Sequence, residues 1–173
     1  FYYFKKLKYF NHLFAAVYQL LSLALTNSLK NHSPMSLSKP ISAIMTVCPV
    51  VANQFHNFSQ VLLLFTEFPI HHLPIVGGDN KLIGIISSND LPKVFLNLCS
   101  RPDKITMDLD AIDAAINLSD IMTSNPITVS STDPISAALK IFADKKFMAL
   151  PVVDNGLLVG ILSAKDVLGY IAD

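Results

Sequence analysis

The stretch Leu150–Val167, LPVVDNGLLVGILSAKDV, compresses a strand, a tight turn, a second strand and a helix start into eighteen residues. It occurs twice. Leu73–Leu91 reads LPIVGGDNKLIGIISSNDL, with the same Leu-Pro opening, the same Gly-Ile pair and the same Ser-x-x-Asp ending.

Upstream of these stretches the duplication continues. AIMTVCPVVA from Ala43 aligns with DIMTSNPITV from Asp120 at a constant offset of 77, placing Ile44, Met45, Thr46 and Pro49 on Ile121, Met122, Thr123 and Pro126. The offset holds to Pro74 and Pro151, then becomes 76 through Gly84 and Gly160 to Asp90 and Asp166, because the first turn is one residue longer. A repeat whose single length change falls in a turn means two homologous structural units.

Each copy parses alike. After I-M-T and its proline comes a short extended run, Val50-Val51 or Ile127-Thr128-Val129. In copy two, Thr132 is a candidate N-cap with Pro134 early in the helix, and Ile135, Ala138, Leu139, Ile141 and Phe142 supply an apolar face. Copy one runs from Asn57 through Phe58, Val61, Leu62, Leu64 and Phe65, matching in period though not in capping. β-Branched hairpins follow, Leu73–Val76 with Leu82–Ser87 and Leu150–Val153 with Leu157–Ser163. Their turns hold Asp79-Asn80 and Asn155-Gly156, residues that readily take the positive φ two-residue turns require. Ser87 or Ser163 then caps a second helix, Asp90–Leu98 or Asp166–Ile171. The expected fold is α/β: two strand–helix–strand–strand–helix repeats paired about a pseudo-twofold axis, since one unit of roughly fifty residues alone is marginal. The predicted organisation is an extension over 1–34, repeat one over 35–99, a connector over 100–118 and repeat two over 119–173.

With I-M-T-x-x-P at Ile44–Pro49 and Ile121–Pro126, L-P-h-V at Leu73–Val76 and Leu150–Val153, and G-I-h-S-x-x-D at Gly84–Asp90 and Gly160–Asp166, the chain resembles the CBS-domain family in its tandem form, the Bateman module. The resemblance covers about 41–172. It implies a regulatory module that binds AMP, ADP, ATP or S-adenosylmethionine in clefts between the repeats, although some members bind nothing. The family's Ser and Asp map to Ser87, Asp90, Ser163 and Asp166. An ionised carboxylate accepts two hydrogen bonds and suits vicinal ribose hydroxyls, while hydroxyl and amide groups at a helix start suit phosphate. The same S-x-x-D is also an ordinary capping pattern. Adenine is expected against Pro49, Val50 and Val51, or Pro126, Ile127 and Thr128, positions that also read as plain core. Phosphates are expected at basic residues before L-P-h-V, where copy one has His71 and His72 and copy two Met148 and Ala149. That contrast favours copy one for a charged nucleotide. His56 with His71-His72 is a weak metal set, because neighbours in a strand face opposite ways, and no metal is expected.

The 173 residues, 51% apolar and 15% charged, suffice for a real core. Zero net charge hides an asymmetry: beyond residue 34 there are nine basic against thirteen acidic side chains, a net of −4 that argues against nucleic acid. Cys48 and Cys99 stand apart, outside any C-x-x-C pair, and read as small apolar fillers in a reducing, cytoplasmic protein. No P-loop, H-E-x-x-H, G-x-S-x-G or G-x-G-x-x-G motif occurs, so no enzyme and no catalytic cofactor are expected.

The chain opens on Phe1, and 10–29 is uncharged, near membrane-span length and preceded by a basic stretch. A tether, an amphipathic packed helix through Leu13, Val17, Leu20, Leu21, Ala24 and Leu25, and an accidental extension before Met35 all fit. Homodimerisation through Leu91, Val94, Phe95 and Leu98 is expected, because these apolar positions exceed what one thin sheet needs. Two alternatives to the nucleotide sensor remain: a ligand-free dimerisation or scaffold module, and the cytosolic part of a membrane transporter or channel.

Overall fold

The computed structural model describes residues 36–100, 108–145 and 147–172, so the expectations for 1–34, including the candidate span at 10–29, lie outside the described residues. Among the described residues no helix is long and apolar enough to cross a membrane. In chain order the elements are β1 (Thr46–Val47), β2 (Ala52–Asn53), α1 (Phe58–Glu67), β3 (His72–Val76), β4 (Leu82–Ser87), α2 (Leu91–Cys99), α3 (Leu109–Ala115), α4 (Leu118–Ile121), β5 (Thr123–Ser124), α5 (Ile135–Asp144), β6 (Ala149–Asp154), β7 (Leu157–Ser163) and α6 (Ala164–Ala172). This is the expected α/β order in both copies. The hairpin turns use the residues that sequence chemistry selects: Asp79, Asn80, Asn155 and Gly156 all have positive φ, between 51° and 81°.

The first strands do not stay with their own copy. β1 pairs antiparallel with β7 of copy two (Thr46 opposite Ile161, Val47 opposite Gly160), and β5 pairs with β4 of copy one (Ser124 opposite Gly84, Thr123 opposite Ile85). The sheets are therefore β1-β7-β6 and β2-β3-β4-β5, each completed by an I-M-T segment of the other copy. The duplicated glycines follow from this crossing. A Cβ on Gly84 would stand 2.5 Å from Met122 Sδ and 3.1 Å from Thr123 O; on Gly160 it would stand 2.9 Å from both Met45 Sδ and Thr46 O. Only glycine lets the exchanged strand approach so closely.

Two compact units result, and they cut across the repeats: Met45–Ser131 with Ala149–Leu162, and, among described residues, 36–44 with Thr132–Met148 and 163–172. The larger unit holds both sheets. Its core gathers Phe58 and Val61 from α1, Leu73, Ile75 and Ile86 from the β3–β4 hairpin, Leu91, Val94 and Leu98 from α2, and Ile112 and Leu118 from the connector. Each such side chain contributes roughly 1.5–3 kcal/mol on burial. The α2 residues expected to make a dimer face thus point into the chain's own core, where the Phe95 ring also meets Phe58 edge-on at 5.6 Å. That removes the apolar surplus on which the dimer expectation rested. In the smaller unit α5 packs on α6, burying Ile135, Ala138, Leu139 and Phe142 of α5, the face its periodicity predicts, together with Ala164 and Val167 of α6.

Capping reverses the sequence expectation. α1 carries a full capping box, Asn57 with Gln60, and Asp113 of α3 adds hydrogen bonds from the Ser59 amide (2.8 Å) and hydroxyl (2.7 Å). α5 starts after Pro134 with no side-chain cap. Its first amides, Ile135 and Ser136, donate instead to the carbonyls of Lys39 (2.9 Å) and Leu37 (3.0 Å). The segment preceding each I-M-T therefore caps the first helix of the other copy, by a carboxylate in one case and by backbone in the other.

Two more expectations are corrected. The strand in copy one lies at Ala52–Asn53, parallel to Ile75–Val76, so Val50 and Val51 lead into it instead of forming it; the matching Val129 makes a single parallel bridge to Val152. Cys48 and Cys99 are both exposed, not apolar fillers. Cys48 and its counterpart Asn125 share a left-handed backbone, φ 50° and 47°, at the turn after I-M-T, and that turn holds the side chain outward.

Candidate functional site

In both copies the last hairpin strand ends on a serine that clamps a carboxylate three residues on. Asp90 Oδ2 accepts from the Ser87 amide at 2.9 Å and the Ser87 hydroxyl at 2.7 Å. Asp166 Oδ2 accepts from the Ser163 amide at 2.8 Å and the Ser163 hydroxyl at 2.7 Å. Two donors on one oxygen fix the rotamer and leave Oδ1 as the oxygen outside the clamp. A further backbone bond is shared: the residue after each serine donates to the residue before the hairpin, Ser88 to His71 O at 2.9 Å and Ala164 to Met148 O at 3.0 Å. The spacing of L-P-h-V and S-x-x-D thereby holds a strand start and a helix start together.

The copies differ in helix geometry. Copy two forms a reciprocal box, with the Asp166 amide returning a hydrogen bond to Ser163 Oγ at 3.2 Å, so α6 starts at Ala164 and carries Asp166 in its first turn. In copy one the Asp90 amide bonds the Ser87 carbonyl, and α2 starts only at Leu91 with Pro92 behind it.

They differ more in charge. Lys93, one turn along α2, sets its Nζ 2.7 Å from Asp90 Oδ1. Burial pushes the Asp90 carboxyl up, but hydrogen bonds from Lys93 and Ser87 and the charge of Lys93 outweigh it and hold the group below the usual carboxylate value. His72, opposite Ser87 in the sheet, is half-buried; burial and the adjacent His71 hold its imidazole below the ordinary value of 6.5 against the pull of Asp90, which leaves it mainly neutral near pH 7. His71 is exposed. The cation at this site is therefore Lys93, which the sequence reading passed over although its i, i+3 spacing from Asp90 was visible.

Among the remaining expected contacts, Val50 and Val51 are half-buried, Val50 packing on the core, while Ile127 (44% exposed) and Thr128 face solvent. A cavity of about 590 Å³ lies elsewhere, at the far end of the β3–β4 hairpin, lined by the loop 54–57, Ile75, Ile83 and the connector at 113–119. None of the residues expected to hold a nucleotide lines it, and several of its polar groups are committed: Asn57 and Asn117 to capping boxes, Asp113 to Ser59. His56, in the lining of the hollow, accepts from the Asn53 amide at Nδ1, and among the described residues no three His, Cys, Asp or Glu side chains form a metal-binding group.

The CBS-domain family model matches residues 41–97 and 118–173. Homoserine O-acetyltransferase of Methanohalobium evestigatum is 32% identical over 112 residues, 64% of this chain, and the chain spans only 20% of that relative's length. Among solved structures, CBSX2 of Arabidopsis thaliana in complex with AMP is 25% identical with a TM-score of 0.62, covering 76% of this chain and 94% of that one. Protein MJ1225 of Methanocaldococcus jannaschii is 28% identical with a TM-score of 0.67, covering 77% and 48%. Two matched repeats, two hairpins ending in the same Ser–Asp clamp and strands exchanged between copies agree with one another: this chain belongs to the CBS-domain family, as a tandem CBS pair.

Proposed function

We propose that this CBS pair is a regulatory module that binds adenosine nucleotides, holding the ribose diol on the Oδ1 oxygens of Asp90 and Asp166 and favouring one conformational state of the pair when filled. The observation that carries the reading is the clamp itself. Ser87 and Ser163 each use two donors on one carboxylate oxygen and leave the second outside the clamp, where it can accept from a vicinal diol. An AMP complex of a relative of the same fold supports the choice of ligand class. Phosphate would meet the amides at the starts of α2 and α6, with Lys93 and His71 near the first. The serines are not poised nucleophiles, because their hydroxyls donate to carboxylates. The module's output therefore passes to whatever domain or partner it contacts.

Thermal melting of the whole chain with AMP, ADP, ATP or S-adenosylmethionine tests this. A ligand at a hundred times its Kd stabilises by about 2.7 kcal/mol, a rise of several degrees for a chain this size, and Asp166→Asn should remove most of it. Absence of a shift with all four ligands would overturn the reading and leave a ligand-free scaffold role.

A further inference from the structure

The clamps of the two copies match to 0.1 Å on Oδ2, yet their outward oxygens differ completely. Asp90 Oδ1 holds Lys93 Nζ at 2.7 Å. Asp166 Oδ1 has no partner among the described residues, because the position that matches Lys93 is Gly169, which has no side chain to offer. A ligand diol and an ammonium group both donate hydrogen bonds, so at Asp90 they compete for one atom. The Lys93 side chain is 69% exposed and tied only at its tip, so it can swing away without disturbing α2.

We infer that Lys93 is a built-in competitor for the diol-binding oxygen of copy one, so that copy two fills first and copy one opens only as ligand or salt displaces the lysine. This rests on the ribose reading above and adds an order of filling. It also reverses the expectation that copy one is the better site. An exposed ion pair of this kind is weak, which sets the handicap at a factor of about 1.5 to 5 in affinity. The pair is screened by salt, so the handicap shrinks as ionic strength rises through the range where the Debye length falls below about 10 Å.

Adenosine is the suitable probe, because it carries the diol without phosphate charge that would itself respond to Lys93 or salt. Two backgrounds isolate the sites in the whole chain: Asp166→Asn leaves copy one, Asp90→Asn leaves copy two. In the first, Lys93→Met should tighten adenosine binding up to about fivefold and remove its salt dependence. In the second, Lys93→Met should change nothing, while Gly169→Lys should weaken binding by a similar factor and introduce salt dependence. Space exists for that lysine, since a Cβ at Gly169 meets nothing within 4 Å. Unchanged or weaker binding on Lys93→Met in the first background would overturn the competition while leaving the ribose reading intact. Failure of adenosine to bind in either background would overturn both. Carboxyl NMR gives a ligand-free check: Lys93→Met should raise the Asp90 titration midpoint, and an unmoved midpoint would overturn the inference whatever adenosine does.

Discussion

The two copies place the same backbone around different fastenings. Copy one ties its groups with side chains: Asn57 and Asp113 on the start of α1, Lys93 on Asp90, and a half-buried His72 beside them. Copy two uses backbone and glycine in the matching places: the carbonyls of Leu37 and Lys39 on α5, Gly169 on α6, and Ala149 for the histidine. A side-chain fastening responds to pH, salt and ligand, whereas a backbone one does not. At these matching places the duplicated fold pairs an adjustable fastening with a fixed one, and each can be tested against the other.

The largest expected effect lies at the glycines under the exchanged strands. Gly160→Ala presses a methyl group to 2.9 Å from a backbone oxygen, Thr46 O, whereas at Gly84 the nearest atom is the movable end of Met122, with Thr123 O at 3.1 Å. Gly160→Ala should cost about 1–3 kcal/mol and Gly84→Ala less, a ranking that thermal or urea unfolding reads directly. Equal losses would mean that both strands yield as units, and would erase this difference between the copies.

Next in size is the cap supplied by the connector. Asp113→Ala removes the acceptor of the Ser59 amide and one of two for its hydroxyl, which keeps Asn57 Oδ1, and should destabilise by about 1 kcal/mol in the same unfolding experiment. At α5 the Ile135 and Ser136 amides rest instead on main-chain carbonyls. Hydrogen exchange at the first turn of α1 should rise in Asp113→Ala while that of α5 stays unchanged.

The smallest effect is the pH dependence that His72 and Asp90 give copy one. Burial holds His72 below its ordinary 6.5, so the folded state prefers the neutral ring. The stability it contributes is complete above 6.5 and is lost as pH falls from that value through the folded one, because the unfolded chain takes up the proton first. Asp90 acts in a lower window: its depressed carboxyl contributes stability above the ordinary carboxylate value, lost as pH falls through the folded one. Comparing melting temperatures at pH 7 and pH 5, His72→Ala, which installs the residue copy two has at the matching Ala149, should flatten the upper part of the curve.

How much of this could be read beforehand depends on how local each cause is. The turns at Asp79-Asn80 and Asn155-Gly156, the buried face of α5 and the Ser–Asp clamps all arise within a few residues, and the sequence pattern predicts each one. Partners that depend on distant chain segments were not legible. Two-residue strands such as β1 and β5 carry no alternation that names a mate, and nothing at Asn57 or Pro134 announces that Asp113 or Lys39 will complete the cap. Lys93 was overlooked for a different reason, since a lysine one turn from an aspartate usually marks a solvated helix face. The apolar surplus on α2 misled because α1 and the connector cover it, and neither cover is visible from α2 alone.

The strand exchange has a kinetic consequence. Thr46 must wait for Ile161 to emerge from synthesis before β1 has a mate, so the sheet of copy two closes across more than a hundred residues. Until then the nascent chain carries an open edge on β4, which only β5 will cover, and that edge is a template for any second unfinished chain. Assembly should thus finish in one late, concerted step, with a slow folding phase set by this long closure. Divided within the connector, the chain would yield halves that recombine with each other or, separately, swap strands with their own kind.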